Sequence, residues 1–274
     1  MDDGAVIENV NRREKPTWDD DVERLVLYAD FMGFKNRVYS MEHARLKKMV
    51  EAFNFSWRNR LRSLHAGEDL KFVQFSDSIL MVANGSDNAM FNLLTKAAIC
   101  MMHEALKIQF GIKGVIAQGI FSFDESKGLF LGRPLIDAYL LHEEIKYYGI
   151  VVHHTAENIV KNNMSRANPY SKNDIYIDKG KVAQYHLCWN LLDENLMSND
   201  ITSQCNAWLD TIGETVSGNA RQYIDKTRDV MERDRQSFAF NDVGMSDVRR
   251  QWIHSHQLIK IKSELLLASV MRLV

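Results

Sequence analysis

Two aspartates stand in apolar surroundings in this 274-residue sequence, and together they offer the chemistry of a metal site. Asp30 lies within the apolar segment 25–34, and Asp77 lies between the apolar segments 72–75 and 79–82. A buried carboxylate is costly unless it has a partner or a metal ion. Two carboxylates on adjacent strand ends suit hard divalent cations such as Mg²⁺, bound together with substrate phosphates. Taken singly, Asp77 could instead shape a turn and Asp30 could cap a helix.

The order of the strands and helices decides whether the two aspartates can meet. Apolar periodicity and turn residues predict a strand over 22–31, a helix over 40–64, a hairpin over 71–83 that turns at 76–78, and a helix over 89–109. They then predict strands over 112–123 and 128–131, a helix over 135–147, a strand over 150–153 and a hairpin over 174–189. This order fits a ferredoxin-like α+β fold, with an antiparallel-rich sheet and helices on one face. The first hairpin would then pair beside the first strand and carry Asp77 toward Asp30.

The sequence divides into three parts. Residues 1–20 are predicted to form an N-terminal arm, and residues 21–192 contain the strands and both aspartates and form the main domain. Residues 193–274 lack strand patterns and are predicted to be a C-terminal helical extension, with helices over 194–238 and 246–273. This extension could complete the core, contact a partner subunit or regulate activity.

Composition narrows the function classes. The net charge of −2 does not favour nucleic-acid binding. No apolar run approaches the roughly 20 residues of a membrane span, and the polar N-terminus does not resemble a signal peptide. The three cysteines have no metal-like spacing, which predicts buried free thiols and a cytoplasmic location. The adjacent His153 and His154 would point to opposite faces of a strand, so they are not predicted to share a metal ion.

Two short motifs place the aspartates in a known pattern. The residues Asp30-Phe31-Met32-Gly33-Phe34 resemble the Asp-x-x-Gly-Phe motif of class III nucleotide cyclases. Residues 75–79 resemble the second motif of that family, a hairpin that carries the other metal-binding aspartate, and residues 132–143 resemble a later glycine-to-helix segment. The resemblance covers about residues 22–155. Within the family, the sequence looks most like the pyrimidine cyclases of bacterial Pycsar antiphage defence.

The resemblance implies a reaction and a set of roles. The 3′-hydroxyl of a nucleoside triphosphate would attack its own α-phosphate and expel pyrophosphate, with two Mg²⁺ or Mn²⁺ ions per site. Asp30 and Asp77 would hold the ions, with Phe31 as a further metal-binding position. The backbone from Phe31 through Met32 and Gly33 to Phe34 would bind the triphosphate, Ser76 and Arg133 would add substrate contacts, and Gly33 would let the backbone approach the phosphates closely. Enzymes of this family are homodimers, and here the cyclic nucleotide alone would reach a separate downstream effector.

Departures from the family pattern bear on specificity and on catalysis. Val73 and Leu129 stand where purine cyclases usually carry a lysine and a polar base-reading residue, which favours a pyrimidine substrate, UTP over CTP. The helix after Gly132 has leucine at positions 140 and 141 and lacks the arginine that stabilises the transition state in many class III cyclases. Lys113, or else Arg133, would supply that charge. The alternatives that stay open are a catalytically silent cyclase-fold module and a purine cyclase with unusual base contacts.

Overall fold

The fold is an α+β sandwich built on one long mixed sheet. A computed structural model describes residues 17–18, 21–63, 68–163, 169–192 and 200–239. Its strands are β1 (Val22–Met32), β2 (Leu70–Phe75), β3 (Ser78–Ala83), β4 (Gly111–Asp124), β5 (Leu129–Leu131), β6 (Gly149–Val152), β7 (Tyr170–Ile177) and β8 (Gly180–Leu187). Its α-helices are α1 (Phe34–Ser40), α2 (His43–Ser63), α3 (Asn88–Lys107), α4 (Arg133–Glu144), α5 (Glu157–Asn162), α6 (Thr202–Gly213) and α7 (Asn219–Ala239).

The sheet order places the first hairpin beside β1, as the sequence predicts. The strands run in the order β2-β3-β1-β4-β6-β8-β7, and β5 pairs with the end of β4. The pair β4 and β6 is parallel, and the other strand pairs among the described residues are antiparallel. The predicted α+β class with an antiparallel-rich sheet is therefore confirmed.

The helices do not all lie on one face of the sheet. Alternate residues of β1, such as Leu25 and Leu27, join α2 and α3 in the main apolar cluster. Tyr28, the residue after Leu27, lies on the other face with Val115, and this face packs against Ala138 of α4. Because the central strands are apolar on both sides, both faces must be covered, and the expectation of helices on a single face is wrong.

The predicted helix over 40–64 corresponds to α2, and a further short helix that was not predicted precedes it. The short helix α1 begins at Phe34, directly after β1, and α2 begins at His43. Between them Met41 is extended, with φ −113° and ψ 146°, which ends the first helix. The chain therefore turns sharply at the end of β1, next to Asp30.

Helices of the C-terminal region belong to the same core as the sheet. Leu209 of α6, together with Ile224 and Met231 of α7, joins the apolar cluster of α3 and β1. The described part of the extension thus packs on the domain, while the boundary at residue 192 stays a prediction. The helix predicted over 246–273 lies outside the described residues, and so do residues 1–16 of the predicted arm. None of the described helices is long and apolar enough to cross a membrane.

Candidate active site

Asp30 lies near the end of β1, between two strands that face it with polar side chains. In the antiparallel register it is opposite Ser78 of β3 on one side and Lys113 of β4 on the other. Residues directly opposite in such a pair place their side chains on the same face and close together. Lys113 is buried, with only 6% of its surface exposed. The structure therefore brings the predicted cation Lys113 next to the predicted metal ligand Asp30.

Asp77 lies in the two-residue turn that joins β2 and β3. The preceding Ser76 has a positive φ of 57°, which closes this tight turn, and its side chain is exposed. The backbone N–H of Phe31 donates a hydrogen bond of 2.9 Å to the carbonyl oxygen of Asp77. That bond fixes the turn beside the end of β1. The charge of Asp77 is close enough to contribute to the raised pKa of Asp30.

The carboxylate of Asp30 is only half satisfied by the protein. Its Oδ2 atom accepts a 3.1 Å hydrogen bond from the hydroxyl of Tyr28. Its Oδ1 atom is buried and has no hydrogen-bond partner among the described residues. Burial is the main cause of the raised pKa of Asp30, while the nearby hydroxyl groups of Ser78 and Tyr28 act in the opposite direction. A buried carboxylate oxygen without a donor, near a second carboxylate, fits the donor set of a divalent cation.

His142 of α4 also faces Asp30, and the sequence reasoning did not single it out. Its Nε2 atom lies 3.5 Å from Oδ2 of Asp30, and its side chain is 1% exposed. Burial, together with the charges of Lys113 and Lys146, lowers the pKa of His142 to about 3. The imidazole is therefore neutral near pH 7. A usable signal was its position four residues after Ala138, on the helix face that packs on the sheet.

Tyr28 is a second residue that the sequence reasoning missed. It precedes Asp30 by two positions, so the two side chains share one face of β1. Its hydroxyl lies 3.1 Å from both Oδ2 of Asp30 and Oγ of Ser78. The strand period of two was the signal that could have identified it.

The turn after β1 partly matches the predicted phosphate-binding segment. Gly33 has a φ of +77°, and a Cβ there would meet no atom within 4 Å, so glycine is required by the backbone conformation rather than by a close approach within the protein. The N–H of Phe31 is already bonded to Asp77, which corrects the expectation that it is free for a phosphate. The Phe31 ring packs against Phe53 and Phe110, so only its backbone can reach the site. Met32 ends β1, and Phe34 begins α1.

Arg133 is far from Asp30 within one chain. It begins α4, where its side chain is 80% exposed and lies 3.3 Å from Asp137. The next residue, Pro134, lies against Gly119, which pairs with Arg24 at the opposite end of β1. Asp30 lies six positions further along β1 than Arg24, which corresponds to about 20 Å. Within one chain Arg133 therefore does not contact Asp30, and its role in substrate binding stays a prediction.

Comparison with known structures gives class III cyclase domains. The catalytic core of a rhodopsin-guanylyl cyclase with converted specificity, in complex with ATPαS, is 14% identical, covers 61% of this chain and 94% of the other, and has a TM-score of 0.46. A dimeric guanylyl cyclase domain from the fungus Blastocladiella emersonii is 14% identical over 61% of this chain and 96% of the other, with a TM-score of 0.44. An adenylate cyclase structure from Trypanosoma brucei is 14% identical over 68% of this chain and 95% of the other, with a TM-score of 0.42.

These similarities do not decide the activity of this chain, because the identities are low and the TM-scores are below 0.5. No protein-family model and no curated protein matches the sequence. The functional argument therefore depends on the residues of the site.

Proposed function

We propose that this protein is a nucleotide cyclase that converts a pyrimidine nucleoside triphosphate into its 3′,5′-cyclic monophosphate and pyrophosphate. One observation carries the proposal: the hairpin turn holds Asp77 beside Asp30, whose buried Oδ1 atom has no donor in the described protein. Asp30 and Asp77 are the aspartates of the Asp-x-x-Gly-Phe and Phe-Ser-Asp-Ser segments of the sequence. The arrangement is what two-metal phosphoryl chemistry needs.

The residues of the chain divide the work in this proposal. Asp30, Asp77 and the backbone of Phe31 would hold two Mg²⁺ or Mn²⁺ ions. Those ions, when bound, would neutralise phosphate charge and activate the 3′-hydroxyl. The left-handed turn at Gly33 directs the chain into α1 and presents backbone groups of Met32, Gly33 and Phe34 to the triphosphate. Ser76, in the exposed turn beside Asp77, would contact the substrate.

Lys113 would supply the positive charge that the arginine of α4 supplies in many class III cyclases. It lies opposite Asp30 on the same face of the sheet. Burial lowers its pKa, whereas the negative charges of Glu143 and Asp30 favour its charged form. A buried cation next to the metal ligands would act on phosphate charge with little screening by water.

A pyrimidine substrate is favoured by the residues at the two base-reading positions. Val73 packs partly into the apolar cluster of β1, β3 and β4 on the Asp30 face. Leu129 is 46% exposed and also lacks a polar group. Neither side chain can donate or accept a hydrogen bond from a purine edge. We favour UTP over CTP, with the product acting as a signal in antiphage defence through a separate effector.

A homodimer would complete the site. The outer surface of α4 and the adjoining β5 expose apolar side chains, namely Leu129, Leu131, Ile136, Tyr139 and Leu140. Exposed apolar side chains on neighbouring elements favour burial in a protein interface. In a two-fold dimer this surface would bury itself and produce two equivalent sites, to which Arg133 of the partner subunit could contribute.

The alternative is a catalytically silent module that binds a nucleotide or a protein. It is favoured by one observation, the leucines at positions 140 and 141 where an active-site arginine is expected. Leu140 is exposed on α4, so a polar group there would have been free to face a substrate.

The deciding experiment incubates the purified protein with each of the four ribonucleoside triphosphates and Mn²⁺, followed by detection of cyclic monophosphates. We expect cyclic UMP as the main product, and loss of it in Asp30→Ala and Asp77→Ala. Asp124→Asn is the matched control, because Asp124 is also a turn aspartate but bonds only locally to Ser126 and Lys127. Absence of product from a folded dimer would leave the silent module as the better explanation, and product from ATP alone would indicate a purine cyclase.

A further inference from the structure

Three side chains of types that bind metal ions meet where α7 packs against the sheet. They lie at the β8 side of the sheet, whereas the hairpin beside Asp30 lies on the other side of β4. They are His186, Cys188 and Asp234, all buried, and one ligand atom of each lies within 4.8 Å of the others. Among the described residues this is the one such group of histidine, cysteine and carboxylate side chains. His186 is near the end of β8 and Cys188 directly follows this strand, two positions later, so their side chains leave the chain on the same side. Asp234 comes from α7, 46 residues later in the sequence than Cys188.

His186 and Asp234 hold each other at hydrogen-bond distance. The Nε2 atom of His186 lies 2.8 Å and 3.0 Å from the two carboxylate oxygens of Asp234. Carboxylate oxygens only accept hydrogen bonds, so without an ion Nε2 donates its proton to Asp234. A bound metal ion would take the place of this proton between the nitrogen and the carboxylate. The other ring nitrogen, Nδ1, faces the carbonyl oxygen of Gln184 at 3.4 Å, and metal-bound histidines commonly anchor their second nitrogen on a backbone carbonyl.

The surroundings hold these groups in place and offer one more oxygen. Ser171 and Asn173 of β7 donate hydrogen bonds of 2.9 Å and 3.1 Å to Oδ1 of Asp234, which orients the carboxylate. The hydroxyl of Tyr147 is buried and has no hydrogen-bond partner among the described residues. Its ring stands edge-on to His186, with 6.4 Å between centroids. After burial, the charge of Asp234 is the largest cause of the raised pKa of Tyr147, which places the hydroxyl near this carboxylate.

We infer that His186, Cys188 and Asp234 bind a structural Zn²⁺ ion that fastens α7 to the sheet, with the Tyr147 hydroxyl or a water as fourth ligand. Thiolate and imidazole groups are typical ligands of Zn²⁺, whereas Mg²⁺ is bound by oxygen atoms. The thiolate and the carboxylate together carry two negative charges, which match the charge of the ion in a buried position. Tetrahedral binding requires about 3.4 Å between the nitrogen and oxygen ligands, so the contact of His186 with Asp234 would open by roughly half an ångström.

The inference does not depend on the cyclase proposal, since the two sites use different residues and different classes of ligand atom. The first test measures zinc in protein purified without chelators, and then the melting temperature with and without a chelator. We expect one equivalent of zinc per chain and a lower melting temperature after its removal. Replacement of the zinc by Co²⁺ should give the near-ultraviolet charge-transfer band of a cobalt–thiolate bond, which Mg²⁺-type carboxylate sites cannot give.

Variants assign the thiolate. We expect Cys188→Ala to abolish the cobalt–thiolate band, and the matched Cys205→Ala to retain it, because Cys205 is equally buried but lies outside the group. Circular dichroism checks that each variant is folded, and the wild-type measurements stand even where Cys188→Ala does not fold. Wild-type protein without zinc, without a cobalt–thiolate band and without a response to chelators would overturn the inference. The three side chains would then be a hydrogen-bonded network around a shared proton. A band that is lost in Cys205→Ala and kept in Cys188→Ala would also overturn it.

Discussion

Replacing Asp30 with asparagine is expected to separate stability from metal binding at the candidate active site. Burial and the nearby Asp77 raise the pKa of Asp30, so the folded chain binds this proton more tightly than the unfolded chain does. Between the ordinary value of 3.8 and the raised value, the unfolding free energy therefore falls as pH rises. At pH 7 the ionised carboxylate destabilises the metal-free fold, and a neutral side chain of the same shape should relieve this.

The magnitude follows from the unpartnered Oδ1 atom. A buried polar group without a partner costs about 1–3 kcal/mol. The asparagine keeps an acceptor for Tyr28 but still leaves one buried group without a partner, so the variant recovers only the extra cost of a charged over a neutral group, about 1 kcal/mol. For a domain of this size that corresponds to about 2–4 °C in melting temperature. In the wild type, Mn²⁺ at 100 times its dissociation constant should stabilise the fold by about 2.7 kcal/mol, and this gain should be lost in Asp30→Asn.

Calorimetric melting at pH 7, with and without Mn²⁺, measures both effects in one experiment. The variant should melt higher than the wild type without metal and show no Mn²⁺-dependent shift. Its advantage should shrink as the pH is lowered toward the raised pKa of Asp30, because the wild-type carboxylate then takes up a proton. Asp124→Asn, at the last residue of β4, should retain the Mn²⁺ shift, because Asp124 bonds to the following turn. A variant that melts lower than the wild type and still responds to Mn²⁺ would refute the reasoning, since Asp30 would then be a structural residue.

Three further predictions concern neighbouring groups. Gly33→Ala and Gly128→Ala both place a Cβ in open space at positive φ, so each variant should lose about 1–2 kcal/mol of unfolding free energy. Only Gly33→Ala should also lower kcat/KM for UTP, by roughly tenfold. Equal effects of the two variants on kcat/KM would count against the phosphate-binding turn. Tyr28→Phe removes the hydroxyl that bonds Asp30, and calorimetric titration should show about fivefold weaker Mn²⁺ binding; unchanged affinity would mean that this bond does not position the carboxylate. Burial lowers the pKa of His103 from 6.5 to about 4, so the unfolded chain takes up this proton first and the unfolding free energy falls as pH drops below 6.5. Measured by urea unfolding, the unfolding free energy of His103→Gln should fall by about 2 kcal/mol less than that of the wild type between pH 7 and pH 5. An identical fall in both proteins would show that His103 does not titrate on unfolding.

Local sequence patterns were sufficient for most of the framework around the site. The two apolar runs on either side of Ser76-Asp77 could only form a short-turned hairpin, because strands of this length need a tight connection to pair. The strand over 22–31 and the helix over 89–109 are found within a few residues of their predicted ends. The helix over 40–64 is likewise found as α2, but the short helix α1 before it was missed, because nothing in residues 34–42 marks the extended Met41 that separates the two.

The sequence by itself determined which residue types could do chemistry here, since carboxylates in apolar segments and a glycine before a helix are visible without a fold. Only the tertiary structure decided which partners they have. His142 reaches the carboxylate of Asp30 from a helix more than 100 residues later in the sequence, and the N–H of Phe31 is bonded to Asp77 in the hairpin turn. Such contacts depend on the relative placement of sheet and helices, which side-chain periodicity does not encode. The same reason hid the meeting of Asp234 with His186 and Cys188, where three separate residues become one buried group only after α7 packs on β7 and β8.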